Sequence, residues 1–315
     1  MKKILALLLV LCMLSTLFVG WSGAAFAEEQ EDDEENYDTG DASLDDPLNQ
    51  DGIGEKELLV VSFGTSYNDN RRLTIGAIEN ALQEACPDWR VRRAFTSQII
   101  IDHVAKRDGE IIDNVHDALE RAIKNGVKIL VVQPTHLMDG FEYADLRNEL
   151  AEYADAFDRV VLGDALLTSD ADFTAVAEAV VAATKEYDDG ETAVCFMGHG
   201  TEAASNAVYT KMQDVLSDMG CAHYYIGTVE AEPSVEDVLE AVKAGGYKCV
   251  VLRPLMIVAG DHANNDMAGD EDDSWKSVFE AAGFEVNCVV EGLGQLEAIR
   301  QLIAAHALDT LAKVK

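Results

Sequence analysis

From Glu57 onward, short apolar runs alternate with amphipathic stretches. ELLVVSF (57–63) precedes NRRLTIGAIENALQEACP, ILVVQP (129–134) precedes EYADLRNELAEYADAF, and VVLGDALL (160–167) precedes DFTAVAEAVVAATKEY. The second half repeats this cadence with AVCFMG (193–198), CAHYYIGTVE (221–230) before SVEDVLEAVKAGG, CVVLRPLMIV (249–258) and VNCVVEGLG (286–294). Runs of this length, separated by segments of helical period, predict strands buried on both faces and joined by helices. The fold class is therefore α/β with a doubly wound parallel sheet.

An internal echo refines that expectation. LLVVSFGTS (58–66) resembles AVCFMGHGT (193–201), and VVQPTHLMDGFEY (131–143) resembles VLRPLMIVAGDHA (251–263). Aligned this way, Glu142 falls opposite His262. The pattern predicts two similar parallel-sheet lobes, 57–187 and 188–315, facing each other across a central cleft that would hold a small molecule.

The first 56 residues differ in kind. Lys2 and Lys3, an apolar stretch and Ala25-Phe26-Ala27 follow the layout of a secretory signal peptide over residues 1–27, so the protein is expected to be exported to a periplasmic or other extracytoplasmic space. Residues 28–56 hold thirteen acids and one lysine with few aliphatics, which predicts a disordered acidic linker. The whole chain carries a formal charge of −34. Such a balance disfavours nucleic acid as a partner and attracts cations. Five cysteines beyond the leader, without CxxC spacing, leave room for one or two disulfides at most and for no structural zinc knuckle.

Three residues then stand at equivalent places, each at or just after a predicted strand end in the second half. His199 lies between two glycines in FMGHGT, Glu230 ends IGTVE, and His262 sits in AGDHANNDM. Strand carboxyl ends line one edge of an open α/β sheet, so residues distant in sequence converge there. Two imidazoles and a carboxylate suit a borderline divalent metal such as cobalt, nickel, iron or zinc, and three protein ligands leave coordination open. Competing roles are ordinary ones: a first-turn carboxylate for Glu230 and a loop hydrogen bond for His262.

These segments carry a resemblance. LLVVSFGTSY, RAFTS, QPTHLMDGFEY, FMGHGT, GTVEAEP, RPLMIVAGDHANNDMAGDEDDSWK and GLG, in that order over 57–310, resemble the anaerobic cobalt chelatases of the CbiK type, class II chelatases related in fold to ferrochelatase. The resemblance implies ATP-independent insertion of a divalent metal, Co²⁺ first and Fe²⁺ or Ni²⁺ as alternatives, into sirohydrochlorin. It also implies His199, Glu230 and His262 as metal ligands and catalytic residues, and by analogy a small homo-oligomer. Exported relatives associated with haem keep a second reading open, a haem or tetrapyrrole carrier or a metal scavenger on the same fold.

A polycarboxylate ring needs local donors on so acidic a protein. Arg93 of RVRRAFTS is the preferred contact, since a guanidinium grips a carboxylate through paired N–H groups. Ser62, Thr65 and Ser66 of SFGTSY are neutral candidates. His136 and Glu142, at the corresponding strand end of the first lobe, complete the expected substrate-binding set.

Overall fold

Strands β1 (Lys56–Ser62), β2 (Arg90–Phe95), β3 (Ile129–Pro134) and β4 (Arg159–Leu162) form a wholly parallel sheet in the order β2-β1-β3-β4. A second sheet repeats it with β5 (Thr192–Gly198), β6 (Tyr224–Thr228), β7 (Cys249–Pro254) and β8 (Glu285–Cys288) in the order β6-β5-β7-β8. The computed structural model that shows this describes residues 39–314. The expected leader over 1–27 and the first part of the acidic linker lie outside the described residues. Among the described residues no helix is long and apolar enough to cross a membrane.

The echo in sequence is an echo in register. Val61 pairs with Pro134 in the first sheet, and Met197 pairs with Pro254 in the second. Ser62 lies opposite Phe95 as Gly198 lies opposite Thr228. Phe63, Ser97 and Glu142 are therefore the first-lobe counterparts of His199, Glu230 and His262. Only the second lobe places two imidazoles and a carboxylate at these three positions.

The helices are α1 (Asn68–Arg71), α2 (Ala77–Ala85), α3 (Gln98–Asp108), α4 (Val115–Lys124), α5 (Phe141–Glu152), α6 (Asp170–Ala183), α7 (Ala207–Asp218), α8 (Val235–Gly245), α9 (Trp275–Ala281) and α10 (Glu297–Ala312). A π turn over Arg72–Gly76 joins α1 to α2. Several begin at a side-chain cap of the expected kind: Ser169 and Ser234 each form a reciprocal capping box, with Asp172 and Asp237.

One apolar core lies between the sheets and draws on both lobes. Leu58, Val60, Ile78 and Leu82 meet Val194, Phe196, Tyr209 and Met212 there. Outer cores cover the far faces, around Leu59, Val61 and Val132 in one lobe and Cys195, Met197, Leu252 and Phe279 in the other. The boundary expected near residue 188 does not divide the packing. Helix α10 returns from the end of the chain to lie on α2, α6 and β3, while α6 packs on α7. Ile299, Ile303 and Ala307 carry this exchange in the shared core, and His306 Nε2 meets Asp172 Oδ1 at 2.9 Å beside it.

The linker expectation is corrected over residues 39–56. Asp45 is buried against Arg71 Nε at 2.7 Å and Arg93 Nη1 at 2.6 Å, Leu48 packs on the central core, and Lys56 already belongs to β1. Composition treats acidic residues as solvated, yet this carboxylate is shared by two buried guanidinium groups, beside the Glu110 partner of Arg71 and the Glu79 partner of Arg93. All five described cysteines, Cys86, Cys195, Cys221, Cys249 and Cys288, are free thiols.

Candidate metal centre

The glycines around His199 have separate reasons. Every residue of β5 is buried, and at its end a Cβ on Gly198 would stand 2.1 Å from the Tyr209 ring. Gly200 has φ +89°, and a Cβ there would lie 2.8 Å from Ala231 N. The chain can thus turn tightly and let the segment after β6 approach. Tyr209 fixes the turn, its hydroxyl accepting from Gly200 N at 3.2 Å.

That approach sets the register of Glu230. Val229 N donates to Gly198 O at 3.0 Å and Glu230 N to His199 O at 2.9 Å, so pairing continues two residues past the strands. Glu230 Oε2 lies 3.5 Å from His199 Nδ1. From the third direction comes AGDH: β7 ends at Pro254, and His262 immediately precedes a π turn over Ala263–Met267 whose Ala263 and Met267 are buried in the outer core. Turns of this kind concentrate at functional places in proteins. The rings of His199 and His262 meet edge to face with centroids 4.6 Å apart.

One ligand atom from each of His199, Glu230 and His262 can be chosen so that all lie within 4.8 Å of one another. A single ion can bridge them. The side chains keep 46%, 54% and 27% exposure respectively, so the group opens to solvent rather than being sealed in the core.

Hydrogen bonding assigns the tautomers. His199 Nδ1 stands 2.8 Å from the Gly200 carbonyl oxygen, which can only accept, so Nδ1 carries the proton and Nε2 the lone pair. His262 Nδ1 stands 2.7 Å from Asp266 Oδ2, which turns its Nε2 into the basic nitrogen in the same way. Burial alone would lower the His262 pKa, but the hydrogen bond and charge of Asp266, aided by Glu230 and Asp261, raise it above its ordinary value. Asp266 is a residue that the sequence reading missed. Its signal was the i, i+4 spacing from His262 within HANND.

The other expected residues fare differently. Arg93 is not a substrate contact: at 1% exposure its guanidinium donates to both carboxylate oxygens of Glu79, at 2.8 and 2.7 Å, and to both of Asp45, at 2.6 and 3.0 Å. Ser62, Thr65 and Ser66 are buried as well, which withdraws them from the substrate-facing set. Ser62 Oγ accepts from Thr135 Oγ1 at 2.8 Å, tying β1 to β3, and Thr65 Oγ1 accepts from Tyr67 N at 3.3 Å. Glu142 is exposed in the first turn of α5, on a groove with Thr96, Gln98, His116, Asp145 and Glu149, and is not brought into the ligand group.

His136 follows β3, with both ring nitrogens shielded from solvent and without a hydrogen-bonding partner among the described residues. Burial pushes its pKa down to about 4 from 6.5. As pH falls below 6.5 the unfolded chain takes up this proton before the folded one, so stability drops and levels off near pH 4. In chemical unfolding at pH 7 and pH 4, His136→Phe is expected to remove about 3 kcal/mol of the pH-dependent loss seen in the unsubstituted protein. Equal losses in both proteins would show that His136 is not held neutral.

Comparison with known proteins places the fold and the family. The family model described as cobalt chelatase (CbiK) matches residues 56–312. A sirohydrochlorin cobaltochelatase of Salmonella typhimurium is 38% identical over 257 residues, covering 82% of this chain and 97% of that protein. The sirohydrochlorin cobaltochelatase CbiKC of Nitratidesulfovibrio vulgaris is 31% identical over 254 residues, covering 80% and 89%. Among solved structures, the sirohydrochlorin chelatase SirB of Bacillus subtilis subspecies spizizenii in complex with cobalt superposes with a TM-score of 0.55 at 14% identity, over 82% of this chain and 97% of that one. SirB of Bacillus subtilis with Fe³⁺ gives 0.56 at 12% identity, over 83% and 97%. The fold is that of these chelatases, and the chain belongs to the cobalt chelatase (CbiK) family.

Proposed function

We propose that the chain inserts Co²⁺ into sirohydrochlorin without ATP, with His199, Glu230 and His262 holding the metal as it is delivered. The observation that carries this reading is the convergence of their three ligand atoms within 4.8 Å of one another. The relatives' names supply the substrate pair.

Insertion requires loss of two inner N–H protons and stepwise exchange of metal ligands. Two neutral imidazoles and one carboxylate leave a bound divalent ion with a net positive charge and open positions, so ring nitrogens can replace protein ligands one at a time. A ring bound bent presents its nitrogen lone pairs to that ion, which is binding directed at the transition state. Once the ion has passed to the ring nitrogens, the freed lone pair of His199 Nε2, whose Nδ1–H is held by the Gly200 carbonyl, takes one pyrrole proton, and the Glu230 carboxylate, released from the ion in the same exchange, takes the other. Asp266 holds the His262 ring so that Nε2 serves the metal. Phe63, the first-lobe counterpart of His199, is 47% exposed and offers an aromatic face to the macrocycle.

The ligand types alone admit Fe²⁺ and Ni²⁺ beside Co²⁺. Mixing the purified protein with sirohydrochlorin and each metal in turn, and following the ring's visible absorption, tests the reading. Enzyme-dependent formation of the cobalt product is expected. Ring binding without metal insertion would instead make the protein a carrier, and metal binding indifferent to the ring would make it a scavenger. The leader expected over residues 1–27 would put this activity outside the cytoplasm.

A further inference from the structure

Residues 39–55 form a strap that precedes the region matched by the family model, which begins at residue 56. The strap is anchored at α1, at β2, where Asp45 also meets Arg93 at 2.6 Å, and at the end of α4, where Gly52 N donates to Asn125 Oδ1 at 2.9 Å. Asp69 N donates to Thr39 O at 2.7 Å, and Asn68 Nδ2 donates to Gly40 O at 3.3 Å. Asp45 then grips Arg71, the last residue of α1, and Arg71 also bonds Glu110 at 2.7 Å. Further along, Leu48 O accepts from Arg93 N at 3.3 Å on the edge strand. Leu48 adopts φ +49°, a left-handed conformation that is unfavourable for a residue with a Cβ and persists only where surrounding contacts fix it.

The same four-residue helix reaches across to the other lobe. Between Asn68 and Arg71, both tied to the strap, Asn70 Oδ1 accepts from Ala259 N at 2.9 Å. Ala259 opens the AGDH segment, three residues before His262. Close beside it, a Cβ on Gly260 would lie 3.2 Å from Thr65 Oγ1, and the Thr65 carbonyl accepts from Arg71 at 3.4 Å. The strap therefore fixes α1, and α1 fixes the backbone that presents the third metal ligand.

We propose that the strap is a positioning element for the metal centre, with Asp45 and Asn70 as positioning residues that set the placement of His262 relative to His199 and Glu230. The proposal rests on the metal-delivery reading above. Its physical content is a chain of direct bonds from an acidic segment outside the family match, through α1, to the loop of the opposite lobe.

The test uses the full chain and Co²⁺ alone, titrated calorimetrically, together with steady-state insertion and thermal unfolding. Asn70→Ala removes the link to Ala259 while leaving the buried ion pairs intact. It is expected to weaken Co²⁺ binding about 10-fold and to raise the KM for Co²⁺ without raising the KM for sirohydrochlorin, at a nearly unchanged melting temperature. Asp45→Asn is expected to weaken Co²⁺ binding to a similar extent and also to lower the melting temperature. The double variant should bind no more weakly than Asn70→Ala alone, because both changes act through one link. Asp51→Asn, altering a strap residue that pairs with Arg121 and Lys124 at the surface, should leave Co²⁺ binding as it was. Co²⁺ binding by Asn70→Ala within 2-fold of the unsubstituted protein, or full additivity in the double variant, would overturn the strap's role while the metal reading stands. Undiminished Co²⁺ binding by His199→Ala would overturn the metal reading and the strap's role together. Should Asp45→Asn fail to fold, Asn70→Ala decides alone.

Discussion

Replacement of His199 by Ala is expected to lower cobalt insertion by a factor of about 10³ or more, the scale of a lost positioned proton acceptor combined with a lost ligand. With the roles proposed for it, the loss should fall on kcat, through the pyrrole proton, and on the KM for Co²⁺, through the lost ligand. Sirohydrochlorin binding, followed by the shift of the ring's absorption on titration, should remain within a few-fold. The substitution is also gentle to the fold: the side chain is 46% exposed and its one close hydrogen bond is to the adjacent residue's carbonyl. A variant that turned over normally would remove His199 from the chemistry. One that lost ring binding and turnover together would make His199 a substrate contact instead.

Arg93→Ala is expected to destabilise the protein by about 3–5 kcal/mol, the range for removing one partner of a buried charge network. Arg93 lies between Glu79, 2% exposed, and Asp45, whose side chain is 3% exposed. Burial already pushes the Glu79 carboxyl above its ordinary pKa although Arg93 opposes the shift, so without the guanidinium two carboxylates would share a dry space. Denaturant unfolding near pH 7 reads the effect directly. Unfolding free energy within about 0.5 kcal/mol of the unsubstituted protein, coupled to a raised KM for sirohydrochlorin, would restore the role of substrate contact.

These two arginine and histidine cases show where sequence carries the structure and where it does not. The alternation of apolar runs and helical segments predicts both sheets, and the paired prolines at positions 134 and 254 give the register that relates the lobes. His199, Glu230 and His262 were legible because each follows a strand at its carboxyl end, where local sequence determines global position. Arg93 was not, because its carboxylate partners lie 14 and 48 residues away and a strand arginine looks the same whether it meets solvent or Glu79. Ser62 and Thr65 were misplaced for a related reason: hydroxyls at a strand end serve a ligand or a neighbouring strand equally well, and here Thr135 and Tyr67 take them. The ordered part of the acidic segment is not legible because composition averages over thirteen acids, whereas what holds it is the burial of one of them, Asp45, on two distant arginines, together with backbone bonds that composition does not register.

The crossing of α6 and α10 between lobes has a mechanical consequence. With Ile299 and Ile303 of the last helix set in the same core as Leu58 and Phe196, the two halves behave as one rigid jaw rather than as a hinge. Parting them would expose apolar surface at about 25 cal/mol per Å², so if the proposed insertion takes place at this centre, the protein holds its shape and the macrocycle is the body that would have to bend.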